Sequence, residues 1–396
     1  MFCGFAPRAW ALTPNEEGVY ELRTPQELKD FRDLVNGGKV GANAKLTADI
    51  DLGDEPWTPI GTGPSYKGTF DGGGFTVSGV SGVKVNINNG VYAGFFGFIN
   101  GNVKNLNVSG EISAESSGEI YIGGIVGSAQ YGANITNCSF FGSVNADSTS
   151  VNADSTKGHV CAGGVVGQTI GAKIVGCTYT GGGVTAVCGG QGANNRVGGI
   201  VGQAGSGSTV DNCTASSEKI SASGESALNM AGGIAGELNF ASMTNCTAAS
   251  AAISAEGTNS NDAGGITGNA FNGQMSGCAY TGGDKSITAT GGKYNNTGGI
   301  SGALEDRSSV SNCAWNEDAS KDATGMGLYC VEETTRALPA EEFESGEIIL
   351  SVTPSCSVVN LTPGGSSALS FTAQPGGKPL TQEQAAKYIA VPENGI

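Results

Sequence analysis

The chain has 396 residues, of which 67 are Gly, about 17% against the usual 7% or so, and only 14% are charged. With no Gly-X-Y period and 38% apolar residues, it is neither collagen-like nor compositionally disordered, so a packed core is available to it. A single His and 20 Lys+Arg against 36 Asp+Glu, a net charge of −16, exclude His-rich metal chemistry and argue against nucleic acid as a partner.

The first eleven residues end in Ala9-Trp10-Ala11, a small-x-small pattern that reads as the tail of a secretory signal over 1–11. No apolar run approaches the ~18 residues a membrane span needs. Thr24-Pro25-Gln26-Glu27 combines an N-cap, a proline at the first helical position and a capping-box Glu. Leu28, Phe31, Leu34 and Val35 then fall on one face, and Asn36-Gly37 ends the helix. Residues 16–37 are therefore expected to form a strand and an amphipathic helix within an N-terminal cap over 12–46. Such a cap answers a physical need, because a solenoid end exposes unpaired strand edges.

From Thr47 onward the dominant signal is a repeat. A Gly-Gly-apolar-x-Gly block starts at Gly123, Gly163, Gly198, Gly232, Gly264 and Gly298, with a degenerate copy at Ala93. Successive starts lie 30, 40, 35, 34, 32 and 34 residues apart. Each full block is followed after 14 or 15 residues by Cys138, Cys177, Cys213, Cys246, Cys278 or Cys313. A third block, apolar-x-Ala, begins at Ile112, Val144, Val184, Ile220, Ile253 and Ile287. Three short strand-like pieces per unit, separated by Gly, Asn and Ser, predict one coil of a parallel β-solenoid. The column before the cysteine holds Asn105, Asn137, Gly176, Asn212, Asn245, Gly277 and Asn312, the residue types that enter the left-handed region cheaply, and it predicts a bend.

Length differences between copies fall between the apolar-x-Ala block and the next Gly-Gly, so loops project from one edge. The longest carries a tandem duplication, Val144–Ser150 followed by Val151–Thr156, expected in a solvated loop. After Cys313 the solenoid pattern lapses by 330, an acidic linker or cap spans 331–347, and alternating apolar residues over 348–396 predict a partial β-sandwich-like segment.

The succession Gly-Gly-Ile-Val-Gly, Asn-Cys and Gly-x-Val between Gly123 and Val144 resembles the GLUG motif of bacterial surface proteins and of the non-catalytic region of IgA-specific metallopeptidases. Thr47–Leu52, Trp57–Gly61 and Tyr66–Gly72 are similar to the segment that precedes such repeats there, so the resemblance covers roughly 19–313. It implies a right-handed parallel β-helix on a secreted or surface-attached bacterial protein. It does not carry the peptidase activity, since the family's His-Glu-x-x-His is absent and His159 is the only histidine.

The cysteine column could be a disulfide chain or a metal ladder, but the matching position in the first copy is Leu106, which points to an inward apolar stack. Parallel neighbours stand ~4.8 Å apart, while a disulfide wants β-carbons near ~3.8 Å. No Cys-x-x-Cys occurs, and neither a metal nor another cofactor is expected. Phe140, Tyr179, Tyr280 and Trp315, two residues past the cysteine, share its inward parity and read as core. The densest acidic cluster is Asp49, Asp51, Asp54 and Glu55, where Asp49 and Asp51 would share one face. Such a pair suits calcium or acid/base chemistry, but no second acid recurs at one column of neighbouring coils, and the cluster reads as a solvated strand end. Asp71 in Phe-Asp-Gly-Gly reads as a turn residue.

The expected fold is thus all-β: a right-handed parallel β-helix of about eight coils, roughly 40 Å long, with an N-terminal helical cap. The expected role is a non-enzymatic, adhesin-like binding or stalk module at the cell surface or beyond it, contacting glycans or host proteins and bearing no catalytic or metal site. The alternatives are a polysaccharide lyase or glycosidase using Asp49 and Asp51, or a pure spacer.

Overall fold

The bend column shapes the chain. Asn105, Asn137, Asn212, Asn245 and Asn312 lie at φ 51° to 54°, and Gly176 and Gly277 at 63° and 65°, all left-handed as expected. Each such bend resets which side chains point inward, and the chain closes on itself coil after coil. The computed structural model describes residues 12–320 except 54, 83–89, 149–157, 191, 226–227, 284–285 and 317–318. It also describes the short strands Thr324–Met326, Arg336–Leu338, Leu350–Ser351 and Thr372–Ala373.

A coil has four strands rather than the three pieces expected. In one coil they are Ile120–Gly123, Val126–Gln130, Asn134–Thr136 and Ser139–Ser148, which we call the first to fourth faces. The Gly-Gly block is not a single strand: a bend at Gly124-Ile125 divides it between the first and second faces. Both sides of that bend are apolar, so the hydrophobic pattern alone does not reveal it. The apolar-x-Ala block instead continues the strand that starts after the cysteine in Ser139–Ser148 and Thr178–Cys188, and separates from it in later coils. Its register is as expected, Ile112, Val144, Val184, Ile220, Ile253 and Ile287 stacking in one column.

Among the described residues the four faces are parallel sheets of 7, 8, 10 and 13 strands. The seven first-face strands define seven complete coils, one fewer than the eight expected. Arg336–Leu338 adds a further parallel strand beside Ala314–Asn316, and Leu350–Ser351 pairs antiparallel with Thr372–Ala373. Val144–Ser148, within the first half of the duplication, is not loop but ladder: Val144–Asp147 is paired on both sides and Ser148 on one, with Ala146 and Ser148 buried. The second half, the signal remnant at 1–11 and most of 331–396 lie outside the described residues.

The core runs the length of the solenoid. Cys138, Cys177, Cys213, Cys246, Cys278 and Cys313 are buried in line with Leu106. Their thiols make weak bonds to bend carbonyls, as Cys138 Sγ does to Thr136 O at 3.3 Å. Phe140, Tyr179, Tyr280 and Trp315 are buried as core, not displayed. At the N-terminal side, strand Val19–Leu22 pairs with Asn43–Leu46, and helix Pro25–Asn36 follows the Thr24 capping box. Phe31 of the helix meets the rings of Tyr20, Tyr66 and Phe70 at 5.7, 6.3 and 6.0 Å between centroids.

Candidate functional site

Two outward columns meet in a re-entrant angle between the first and second faces. On the first face the column is Tyr92, Tyr121, Cys161, Arg196, Met230, Asp262 and Asn296. On the second it is Phe98, Ser128, Gln168, Gln203, Glu237, Asn269 and Ala303. By strand parity both should face solvent. They meet instead, because the last glycine of the block lets the sheets close: a Cβ at Gly202 would lie 2.6 Å from the backbone N of Ala162 on the facing strand.

The chemistry of this corner changes along the axis. Tyr92 stacks on Phe98 and Tyr121 with centroids 5.5 and 5.2 Å apart. Next come Cys161 and an amide relay, Gln168 Nε2 donating to Gln203 Oε1 at 2.8 Å and Gln203 Nε2 to Glu237 at 2.8 Å. Glu237 also forms an ion pair with Arg196, the two side chains only 9% and 11% exposed. Further along, Asn296 Nδ2 donates to Asp262 at 2.7 Å, and Asn269 Nδ2 donates to Asp262 at 3.3 Å and to Glu305 at 2.7 Å. Burial raises the Asp262 carboxyl above the usual range, while the Asn296 and Asn269 amides oppose the shift and Glu305 adds to it. Burial also pushes the Cys161 thiol up to about 12, so it is a protonated thiol and not a nucleophile. These groups bond mainly to one another, an arrangement that fixes the angle between the faces.

Beside the corner lies a groove of about 440 Å³ lined by Asn194, Leu228, Asn259, Ser260, Asp262, Tyr294 and Glu305. These residues come from successive coils, so the groove follows the solenoid axis. Tyr294 is 54% exposed on its lip.

The acids singled out from sequence are placed elsewhere and act locally. Asp49 accepts from Thr76 N at 2.8 Å, and Asp51 from Gly53 N at 3.0 Å and Ser78 Oγ at 3.2 Å, which ties the first turn to the next strand. Asp54 lies outside the described residues. Glu55 pairs with Lys29 of the helix, which holds its carboxyl below the usual range. Asp71, expected in a turn, is instead the last residue of strand Thr69–Asp71; its carboxylate accepts from Gly73 N at 2.9 Å in the turn that follows and is paired with Lys104. His159 stands beside the corner, its Nδ1 accepting from Asn194 N at 2.8 Å, and burial and Arg196 lower its basicity. Among the described residues no three His, Cys, Asp or Glu side chains are grouped to hold a metal, and no helix is long and apolar enough to cross a membrane.

Sequence reasoning passed over the corner. Its signal lay in two fixed offsets, two residues before and five after each Gly-Gly, where Arg196, Asp262, Gln168, Gln203, Glu237 and Asn269 recur in a chain otherwise poor in charge.

Comparison with known proteins agrees with this architecture. The model of the GLUG motif matches residues 118–145 and 193–221. No curated protein matches the chain. A crystal structure from Bacteroides ovatus, of a protein provisionally described as an immunoglobulin A1 protease, is similar over 84% of this chain and 87% of that one, with 18% identity and a TM-score of 0.50. At that identity the likeness shows the fold. The chain is a parallel β-solenoid that carries the GLUG motif in at least two of its coils.

Proposed function

We propose that the chain is a non-enzymatic, adhesin-like binding or stalk module of a secreted or cell-surface bacterial protein, contacting glycans or host proteins along its outer surface. In this reading the solenoid is wound right-handed, as parallel β crossovers overwhelmingly are, and helix Pro25–Asn36 closes its N-terminal end. The observation that carries it is the groove along the axis from Asn194 to Glu305, with Tyr294 on the lip and Asp262 at its base. A ligand there would run along the solenoid and meet polar groups of several coils in turn.

The test is binding of the purified chain to an array of glycans and mucins, with the supernatant assayed for released sugar. Retention without release supports the module. Release that stops on Asp51→Asn would replace it with the polysaccharide-active reading, and neither retention nor release would leave a spacer.

A further inference from the structure

The turn leaving the second face is solved differently from coil to coil. At one register its left-handed residue is Tyr131 at φ 50°, Gly171 at 61°, Phe240 at 51°, Asn272 at 49° and Asp306 at 53°, while the coil of Val201–Gly205 has Ser206 at that register and turns left-handed one residue later, at Gly207 with φ 73°. Gly, Asn and Asp are the residues this conformation favours, whereas a bulky aromatic there is an outlier. The two aromatics do not offset that strain by burial, since Tyr131 is 75% exposed and Phe240 51% exposed. The fold needs neither ring, because neighbouring coils make the same turn without one.

Backbone bonds link these turns from coil to coil, among them Tyr131 N to Ile170 O, Gly171 N to Ser206 O and Gly207 N to Phe240 O. Tyr131 and Phe240 therefore stand three coils apart, about 14 Å at ~4.8 Å per coil. Between them the turns carry only Gly171 and the small pair Ser206-Gly207. The result is a low strip of small residues along the axis with an exposed ring at each end, and the Phe240 ring is braced edge-on by Phe271 at 5.4 Å.

We infer that this edge is a stacking platform for an uncharged polysaccharide chain lying parallel to the solenoid axis, an inference that rests on the binding-module reading above. Aromatic rings are rigid and amphipathic, suited to the C–H faces of sugar rings. A protein partner fits less well, because its interface wants a contiguous desolvated core and these rings are separated by glycine and serine. An acidic glycan is disfavoured by the net charge of −16 and by Asp306 in the same column.

The experiment is affinity electrophoresis of the whole chain through gels containing dextran, galactomannan, xyloglucan or mixed-linkage β-glucan, with polygalacturonate as the acidic control. The variants are Tyr131→Asn, Phe240→Asn and the pair, Asn being what the column uses at Asn272. The expected result is retardation by at least one neutral polysaccharide, weakened about tenfold or more in the double variant, with an unfolding midpoint equal to or above that of the parent. A platform whose rings were merely structural would lower the midpoint instead, which would overturn the inference. Retardation left intact in the double variant would overturn it while sparing the binding module. Retardation by none of the polysaccharides, by the acidic one only, or ring-dependent binding to mucin polypeptide instead would overturn the ligand class.

Discussion

Gly124 and Phe140 share one space: a Cβ on the glycine would sit 2.1 Å from Cγ of the ring, and 2.5 Å from the carbonyl of Gly164 in the next coil. The same relation joins Gly299 to Trp315. The second glycine of the repeat is thus the seat of the aromatic column. Gly124→Ala is expected to cost about 1–3 kcal/mol by overpacking, measured by urea unfolding. Phe140→Ala in that background should not restore stability, because the Gly164 carbonyl remains in the way. Full recovery in the double variant would mean that the ring alone imposes glycine.

The bend column gives a second, sharper contrast. Asn212 is left-handed at φ 51°, so Asn212→Gly should change stability little, whereas Asn212→Val should cost about 1–2 kcal/mol. Equal effects of the two substitutions would show that the amide side chain, not the backbone conformation, decides the position.

Thiol chemistry should be silent at the eight described cysteines of the folded chain. Cys138, Cys161, Cys177, Cys188, Cys213, Cys246, Cys278 and Cys313 are buried, and burial raises the Cys161, Cys188 and Cys246 thiols. Iodoacetamide labelling read by mass spectrometry should leave these eight unmodified until denaturant is added. Rapid native labelling of any column cysteine would contradict the stack.

Asp262 supplies a pH dependence with a definite sign. It is 1% exposed and its folded pKa is raised above the ordinary 3.8, mainly by burial, with Glu305 acting in the same direction against Asn296 and Asn269. Between those two pKa values the folded state holds more protons than the unfolded state, so this group's contribution is full at acid pH and is lost as pH rises. Relative to Asp262→Asn, the parent chain should be less stable at pH 7 than at pH 4, a comparison that cancels the opposite trend of Asp71 and Glu55, whose carboxyls are lowered. A stability difference that is flat with pH would refute the assignment.

How much of this was legible depended on whether a residue acts by its presence or by what it lacks. The bends at Asn137 and its column, the cysteine stack, the inward ring column and the Thr24 capping box all announce themselves through side-chain chemistry, and they stand where expected. The division of the Gly-Gly block into first and second faces, and the corner between them, depend on missing Cβ atoms at Gly124 and Gly202, which a pattern of apolar residues does not register. Arg196, Glu237 and Asp262 accordingly carried the ordinary outward parity of a solvated strand, and only the closing of the two faces buries them. The acids near the N-terminal turn drew attention by density, yet Asp49 and Asp51 serve to hold Thr76, Gly53 and Ser78.

As proposed above, the solenoid binds along its outer surface without turning its ligand over. The most direct measurement applies the purified chain to immobilised glycans and mucins and follows both retention of the chain and soluble sugar over time. A non-enzymatic binding module gives saturable retention with no sugar released; release of sugar, or passage of the chain without retention, would refute that role.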